Sequence, residues 1–269
     1  LSLDTDNSNI WIHNMDLFYG STGGAADQAK GDGTIDIKGD SKYISVAYNR
    51  FWDSGKSSLC GMTSETGPNW ITYHHNWFDH SDSRHPRIRT MSVHVWNNYY
   101  DGVAKYGVGA AKQSNAFVEA NYFRGTKYPM LTSQQGSDIA SDPKGTFGNL
   151  FAEKPSSFKY VTYQQNDTQY DAYEAETRNE QVPSSVAALK GGKTYSNFDT
   201  DNSIMYSYNP DAAADVPAKV TGYYGAGRLN HGDFTWSFEG MDSDYNVDSA
   251  LKSALGNYKS SLVKIFGDE

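Results

Sequence analysis

The chain has 269 residues, a formal net charge of -9 and 38% hydrophobic residues. This acidic balance argues against a nucleic-acid partner, because phosphate recognition needs a basic surface. The sequence has no run of about 20 apolar residues, so it predicts no membrane-spanning helix. A single cysteine, Cys60, excludes a disulfide within the chain. An acidic sugar stays open as a substrate, provided that a local basic site or a bridging cation binds it.

The first half of the sequence repeats a strand-like segment. Each copy has alternating apolar positions, then Asn or Asp, one further residue and an aromatic residue; the copies are residues 10–18, 43–51, 70–78, 93–100, 115–123 and 145–151. A unit of about 22 residues cannot bury its own apolar face, but stacked units bury it between them. The repeat therefore predicts an all-β solenoid, the parallel β-helix.

The repeated polar position is predicted to be part of the scaffold. It comprises Asp16, Asn49, Asn76, Asn98, Asn121 and Asn149, which are separated by 33, 27, 22, 23 and 28 residues. Asn tolerates the left-handed backbone conformation of a sharp bend, and its amide bonds turn backbone groups. Stacked amides can also bond one another, so we expect a ladder of side chains without a catalytic role.

The rest of the sequence is less regular. We predict a single domain over 1–269, with regular coils in 1–151 and with loops and further coils in 152–243. Apolar residues then recur at three- and four-residue spacings, which predicts an amphipathic C-terminal helix over 244–266 that covers part of the β-helix.

An acidic turn occurs in the segment from Asp32 to Lys38. On a straight strand Asp32 and Asp36 would lie about 13 Å apart, too far to share one metal ion. Gly33 makes a bend possible, after which the two carboxylates could converge on a hard cation such as calcium. A solvated acidic turn is the alternative interpretation.

A basic segment follows the strand that contains His74 and His75. Arg84, Arg87 and Arg89 surround Pro86. The alternation of a strand places Arg87 and Arg89 on one face, whereas Arg84 precedes the proline and is expected in a turn. The alternative is an ordinary basic surface patch.

Three ordered motifs together resemble a known family. They are DGTIDIKGDSKYISVAYNRFWDSGKSSLCG, ITYHHNWFDHSDSRHPRIR and VHVWNNYY. They resemble the core of the pectate lyases of polysaccharide lyase family 1 over residues 1–125, with a looser similarity near 206–227. The resemblance implies a right-handed, single-stranded parallel β-helix with long loop excursions.

The resemblance also implies roles for individual residues. Asp32 and Asp36 match two calcium ligands of the family, and Lys56 and Arg89 match residues that bind substrate carboxylates. Arg84 matches the catalytic base. The implied reaction is calcium-assisted β-elimination of α-1,4-linked polygalacturonate, which gives 4,5-unsaturated oligogalacturonates.

Two departures from the family pattern affect these expectations. The family's Trp-Ile-Asp-His is replaced by Trp11-Ile12-His13-Asn14, so we expect His13 to be structural. The family's third calcium ligand would precede Leu1, so the chain is expected to lack an N-terminal segment. Asp4 or Asp6 is a weaker substitute for that ligand.

Several alternatives stay open at this point. A pectin lyase would act on methyl-esterified pectin without calcium, and a non-catalytic β-helix would only bind polysaccharide. A hydrolase would need paired carboxylates about 5–9.5 Å apart in one cleft. The resemblance favours a secreted, extracellular enzyme of pectin degradation, and we expect a monomer that binds neither nucleic acid nor membrane.

Overall fold

The computed structural model describes residues 1–18, 29–62, 64–66, 69–132, 145–152, 159–161, 169–171, 174–177, 180, 206–221 and 236–258. Most strands in these ranges form three parallel sheets. Successive strands of the chain pass from one sheet to the next, so three strands make one coil. The coils stack along an axis, which confirms the predicted all-β parallel β-helix.

Sheet one carries the residues discussed below as the candidate site. Its strands in sheet order are β1 (Ser2–Leu3), β4 (Ile35–Ile37), β7 (Ser58–Cys60), β10 (Arg87–Ile88), β13 (Val108–Ala110) and β16 (Met130–Thr132). Side chains alternate between the two faces of a strand. Ile35 and Ile37 are therefore fully buried, while Asp36 between them points outward.

Sheets two and three complete each coil. Sheet two contains β2 (Ser8–His13), β5 (Lys42–Ala47), β8 (Ile71–His74), β11 (Ser92–Trp96), β14 (Asn115–Glu119), β17 (Gly145–Phe147) and β21 (Glu174–Ala175). Sheet three contains β3 (Asp16–Phe18), β6 (Arg50–Trp52), β9 (Trp77–Asp79), β12 (Tyr99–Asp101), β15 (Tyr122–Arg124) and β18 (Leu150–Ala152). A separate antiparallel pair joins β19 (Lys159–Val161) to β20 (Gln169–Asp171).

The core lies inside the coils and is built from stacked, equivalent side chains. Inward aromatic rings of sheet three form one column, with centroid separations of 5.0, 4.9, 4.3 and 5.3 Å along Phe51, Phe78, Tyr100, Phe123 and Phe151. Each such aromatic pair adds about 0.5–1.5 kcal/mol beyond the burial of apolar area. The column fixes the register of successive coils.

The asparagine ladder is confirmed for five of the six predicted positions. Each side-chain amide donates to the Oδ1 of the asparagine in the next coil, at 3.1, 2.9, 3.0 and 3.0 Å along Asn49, Asn76, Asn98, Asn121 and Asn149. Each amide also donates to a backbone carbonyl of the preceding coil, as Asn76 does to Val46. The buried amides thus bond neighbours on both sides.

Asp16 was wrongly placed in this ladder. Asn49 Oδ1 accepts from the backbone N–H of Met15, and Asp16 instead pairs in register with Arg50. Met15 therefore occupies the ladder position of the first coil. The error is a shift of one residue, because Asp16-Leu17-Phe18 imitates the Asn-x-aromatic pattern of the later copies.

The left-handed bend also lies one residue away from its predicted position. The residue that precedes each ladder asparagine has a positive φ, for example 57° at Tyr48, 54° at His75 and 49° at Ala120. The chain therefore turns before the asparagine. The asparagine side chain stabilises the bend through hydrogen bonds rather than through its own backbone conformation.

Two C-terminal segments pack on the outside of the coils. The first contains a 3₁₀-helix (Ala213–Asp215) and α1 (Val216–Thr221), whose Val216 and Val220 pack against Tyr99 of sheet three. The second contains α2 (Ser249–Asn257), whose Leu251 packs with Trp52 and Phe238. Within the described residues, no helix combines the length and the apolar character that a membrane crossing requires.

The C-terminal helix begins at Ser249, later than the sequence predicted. Residues 244–248 are not helical, because Asp248 caps the helix by accepting from the N–H groups of Ala250 and Leu251. Tyr258 follows the helix in an extended conformation. The part of the prediction from 259 to 266 lies outside the described residues.

Candidate active site

The acidic turn before β4 folds back on itself. Gly33 has a φ of 55°, and a Cβ at this position would lie only 2.4 Å from Asp36 Oδ2. The turn therefore packs directly against the Asp36 carboxylate, and any side chain larger than that of glycine would displace it. The bend brings Asp32 near enough for its charge to act on the Asp36 carboxyl group.

Asp36 is a carboxylate with unused bonding capacity. Its Oδ1 is buried and has no hydrogen-bond partner. Burial raises the pKa of Asp36, and the nearby charge of Asp32 adds to this effect, whereas Lys38 and Arg84 oppose it. A buried acceptor beside a second carboxylate is an environment in which a bound cation would be favourable.

Two cations from the following coils face Asp32. Lys56 Nζ lies 3.4 Å from Asp32 Oδ1, and one guanidinium nitrogen of Arg84 lies 4.0 Å from the same oxygen. The backbone of Lys56 is bridged to that of Ser83, which directly precedes Arg84. Three coils that are distant in sequence thus bring one carboxylate and two cations together.

Arg84 has the left-handed backbone conformation that recurs at bends of the coils, for example at Tyr48 and His75. Its φ of 64° lies in the left-handed region, which costs a residue with a side chain about 1–3 kcal/mol. Its carbonyl oxygen still accepts from the N–H of Ser58 at 2.8 Å. The surrounding strands therefore hold this turn, as the sequence predicted from its place before Pro86.

Arg87 and Arg89 lie further along the outer face of sheet one. Both are half-buried and flank the fully buried Ile88, so they share a strand face as predicted. Arg87 is in register with Leu59, which in turn pairs with Asp36. A Cβ at Gly61 would lie 1.8 Å from the backbone oxygen of Arg89, so a glycine is required beside it.

Other predicted candidates have different surroundings. Asp4 accepts from Lys38 Nζ and from Ser2 Oγ, each at 2.7 Å. Ser2 pairs with Asp36 in sheet one, so Asp4 lies two residues beyond that position. His13 stacks on Trp11 in sheet two with a centroid separation of 4.0 Å.

A family model described as "Pectate lyase" matches residues 2–229 of this chain. The chain belongs to the pectate lyase family. Among its relatives, pectate lyase B of Dickeya chrysanthemi is 29% identical over 235 residues, which are 83% of this chain and 56% of that protein. A pectate trisaccharide-lyase of Bacillus licheniformis is 30% identical over 133 residues, which are 49% of this chain and 38% of the relative.

Solved pectate lyases also resemble the structure. Pectate lyase II of Xanthomonas campestris matches with a TM-score of 0.60 and 26% identity, over 84% of this chain and 64% of that one. A Bacillus pectate lyase solved in complex with trigalacturonate matches with a TM-score of 0.55 and 25% identity, over 85% and 63%. The chain spans between about half and two thirds of the length of these pectate lyases, apart from the shorter match to the trisaccharide-lyase.

A set of buried charges that the sequence did not reveal lies next to these pectate lyase motifs. Lys30 Nζ lies 2.9 Å from Asp53 Oδ1 and 3.1 Å from Asp82 Oδ1. Burial raises the pKa of Asp53 and of Asp82 to about 6, although Lys30 opposes the shift. Their signal in the sequence is that each precedes a predicted site residue by two or three positions, and that Asp53 and Asp82 lie within the quoted motifs.

Proposed function

We propose that this chain carries the catalytic site of a pectate lyase that cleaves polygalacturonate by β-elimination. The observation that supports this proposal is the convergence of Asp32, Lys56 and Arg84 from three successive coils, beside Asp36 on the outer face of sheet one. The site combines a cation-binding pair of carboxylates with positive side chains for an acidic sugar. Family membership supplies the reaction class.

The acidic pair fits calcium. Calcium takes carboxylate oxygens at about 2.3–2.6 Å and accepts flexible geometry. The orphaned Oδ1 of Asp36 and the nearby Asp32 offer two hard oxygen donors. When bound, calcium would supply positive charge next to the substrate carboxylate, where negative charge develops during elimination.

The remaining roles fall to side chains of this chain. Lys56 and Arg89 bind carboxylates of the galacturonate units and hold the polymer along sheet one. Arg84 takes the proton from the fifth carbon, whose electron pair forms the double bond to the fourth carbon. The bond from the fourth carbon to the glycosidic oxygen breaks, and the released oxygen takes a proton from solvent.

A base role for arginine needs support from its surroundings. The guanidinium is normally always protonated. Lys56 and Arg84 approach the same oxygen of Asp32, so a carboxylate and a second cation both lie near the guanidinium. The kinetics of Arg84 variants test whether this arginine acts as the base.

The alternatives explain less of the geometry. A pectin lyase, which acts on methyl-esterified substrate, has less use for Lys56 and Arg89 as carboxylate binders and for a calcium pair. A polysaccharide-binding protein without activity needs no residue at the position of the family's catalytic base, which Arg84 occupies by resemblance. We propose a secreted, extracellular enzyme, because its polymeric substrate lies outside cells, and a monomer.

The direct test is incubation with polygalacturonate, with and without a calcium chelator. A lyase gives 4,5-unsaturated oligogalacturonates that absorb in the ultraviolet, and chelation should abolish their formation. Reducing ends without this absorbance would show hydrolysis. Activity on methyl-esterified pectin that resists chelation would identify a pectin lyase. Binding without any product would leave a polysaccharide-binding protein.

A further inference from the structure

We propose that a buried charge cluster positions the three loops of the candidate active site. The cluster consists of Lys30, Asp53 and Asp82. These are positioning residues, because they act through the side chains that would contact substrate and calcium. The kinetic test of this proposal rests on the lyase function proposed above. Hydrogen–deuterium exchange of the three loops gives a second test that needs no activity.

The cluster joins three successive coils. Lys30 Nζ contacts Asp53 Oδ1 at 2.9 Å and Asp82 Oδ1 at 3.1 Å, and the three residues are only 2%, 1% and 4% exposed. The same coils are linked through the backbone. The N–H of Gly55 donates to the carbonyl of Lys30 at 3.0 Å, and the N–H of Asp82 donates to the carbonyl of Ser54 at 2.8 Å.

Each member of the cluster stands just before a residue of the site. Lys30 is two residues before Asp32, Asp53 is three residues before Lys56, and Asp82 is two residues before Arg84. Only one or two residues separate each anchor from its functional side chain, and these short connections bond one another, as the hydroxyl of Ser83 does by donating to the carbonyl of Gly55 at 2.9 Å. A displacement of the anchor is therefore expected to displace the functional side chain as well.

The charges depend on one another. Lys30 is the shared partner of both carboxylates, and Asp53 Oδ2 is buried without a hydrogen-bond partner. Loss of Lys30 would leave two buried acidic groups next to each other, which would protonate or separate. Either response removes the contacts that join the three coils where they enter the site.

A merely structural cluster would lower stability without a specific effect on the site, so the test needs a matched control. Asp82→Asn keeps the size of the side chain and keeps the ion pair of Lys30 with Asp53, so this variant is expected to fold. Lys30→Met removes the shared cation. Val95→Ala creates a cavity at a fully buried core position of sheet two, and Lys112→Met changes an exposed lysine.

The experiment combines kinetics on polygalacturonate at saturating calcium with hydrogen–deuterium exchange of the folded variants. We expect Asp82→Asn and Lys30→Met to lower kcat at least 10-fold and to speed exchange in 29–34, 53–58 and 81–85 together. Val95→Ala should lower the melting temperature by a similar amount but keep kcat within 2-fold of wild type. Lys112→Met should match wild type, and Lys30→Arg should regain part of the kcat.

Two results would overturn the proposal. One is faster exchange confined to the loop that carries the substitution. The other is a kcat loss no larger than that of Val95→Ala at equal loss of melting temperature. If the wild-type chain forms no unsaturated product, the proposed function fails, whereas the comparison of exchange among the three loops still decides whether the cluster positions them.

Discussion

Lys56 and Asp32 lie 3.4 Å apart across two neighbouring coils, so a cation assigned to the substrate is paired with a carboxylate assigned to calcium. The Asp32 side chain is 43% exposed, which limits the energy of this ion pair to about 0.2–1 kcal/mol. Bound calcium at Asp32 would repel Lys56. Under the proposed roles, metal binding would therefore make the ammonium available to a galacturonate carboxylate.

This competition predicts opposite effects from one substitution. Lys56→Met should raise calcium affinity about 2–5-fold, because a competing cation is removed, while the KM for polygalacturonate rises. Isothermal titration calorimetry measures the first effect and steady-state kinetics the second. Lys112→Met serves as the control. Weaker calcium binding in Lys56→Met would contradict the arrangement.

Asp36→Asn should weaken calcium binding and the stability that calcium adds. A ligand at 100 times its Kd stabilises the folded state by about 2.7 kcal/mol, and this gain should shrink in the variant. Thermal unfolding with and without calcium measures the difference. The exposed Glu239→Gln is a suitable control. Equal calcium stabilisation of wild type and Asp36→Asn would remove Asp36 from the metal site.

Arg84→Lys and Arg89→Lys should differ in kind. Loss of a positioned base at Arg84 should lower kcat by at least about 10²-fold while substrate still binds. Lysine at position 89 keeps a positive charge but loses the bidentate fork, so KM should rise at nearly constant kcat. Steady-state kinetics of both variants separates these roles. Near-normal turnover in Arg84→Lys would end its assignment as the base.

The ladder predicts one stabilising and one destabilising substitution. Asn76→Ala should lower the free energy of unfolding by about 1–3 kcal/mol, because its partners stay buried and unpaired. Met15→Asn should raise it by about 0.5–1.5 kcal/mol, because a new amide can donate to Asn49 Oδ1. Urea unfolding measures both. Destabilisation by Met15→Asn would show that the ladder cannot extend into the first coil.

His85 should make the fold sensitive to acid. Burial lowers its pKa to about 3, although the hydrogen bond from Nδ1–H to the Tyr106 carbonyl opposes this shift, and Nε2 is buried without a partner. Above about pH 6.5 both the folded and unfolded states carry neutral imidazole, and below it the unfolded state binds a proton that the folded state excludes. Stability is therefore lost as pH falls from 6.5 towards 3.

The size of this effect is about 1.4 kcal/mol per pH unit for one such group, or about 2 kcal/mol between pH 6.5 and 5. Urea unfolding at both pH values measures it. His85→Gln should show a smaller loss than wild type, whereas the exposed His13→Gln should not. An identical pH dependence in His85→Gln and wild type would refute the assignment.

The periodicity of the sequence was sufficient to predict the stacked coils, because the same apolar and asparagine positions recur in each one. It was insufficient at Asp16, where a chance Asp-Leu-Phe matched the pattern with an offset of one residue. Only the pairing of Asp16 with Arg50 reveals the true register. The left-handed bend is taken by residues of five different types, so no single type marked it; they are Tyr48, His75, Asn97, Ala120 and Gly148.

The candidate site could likewise be predicted from the sequence only in part. The motifs and the bend at Gly33 could be read from local sequence, and the resemblance assigned expected roles. The ion pairs of Lys30 could not be predicted, because its partner Asp82 is 52 residues away and neither residue belongs to a repeated pattern. Contacts between unlike loops of different coils depend on loop paths that local periodicity does not encode.

The stacking of coils has a consequence for how such a molecule can change in length. The candidate site uses the coils that contain β4, β7 and β10, and each strand of sheet one pairs only with the coil before and the coil after it. A whole coil duplicated or removed beyond β13 would leave the site's own neighbours in place. Insertion of one residue within β7 would instead turn Leu59 and every later side chain of that strand to the opposite face.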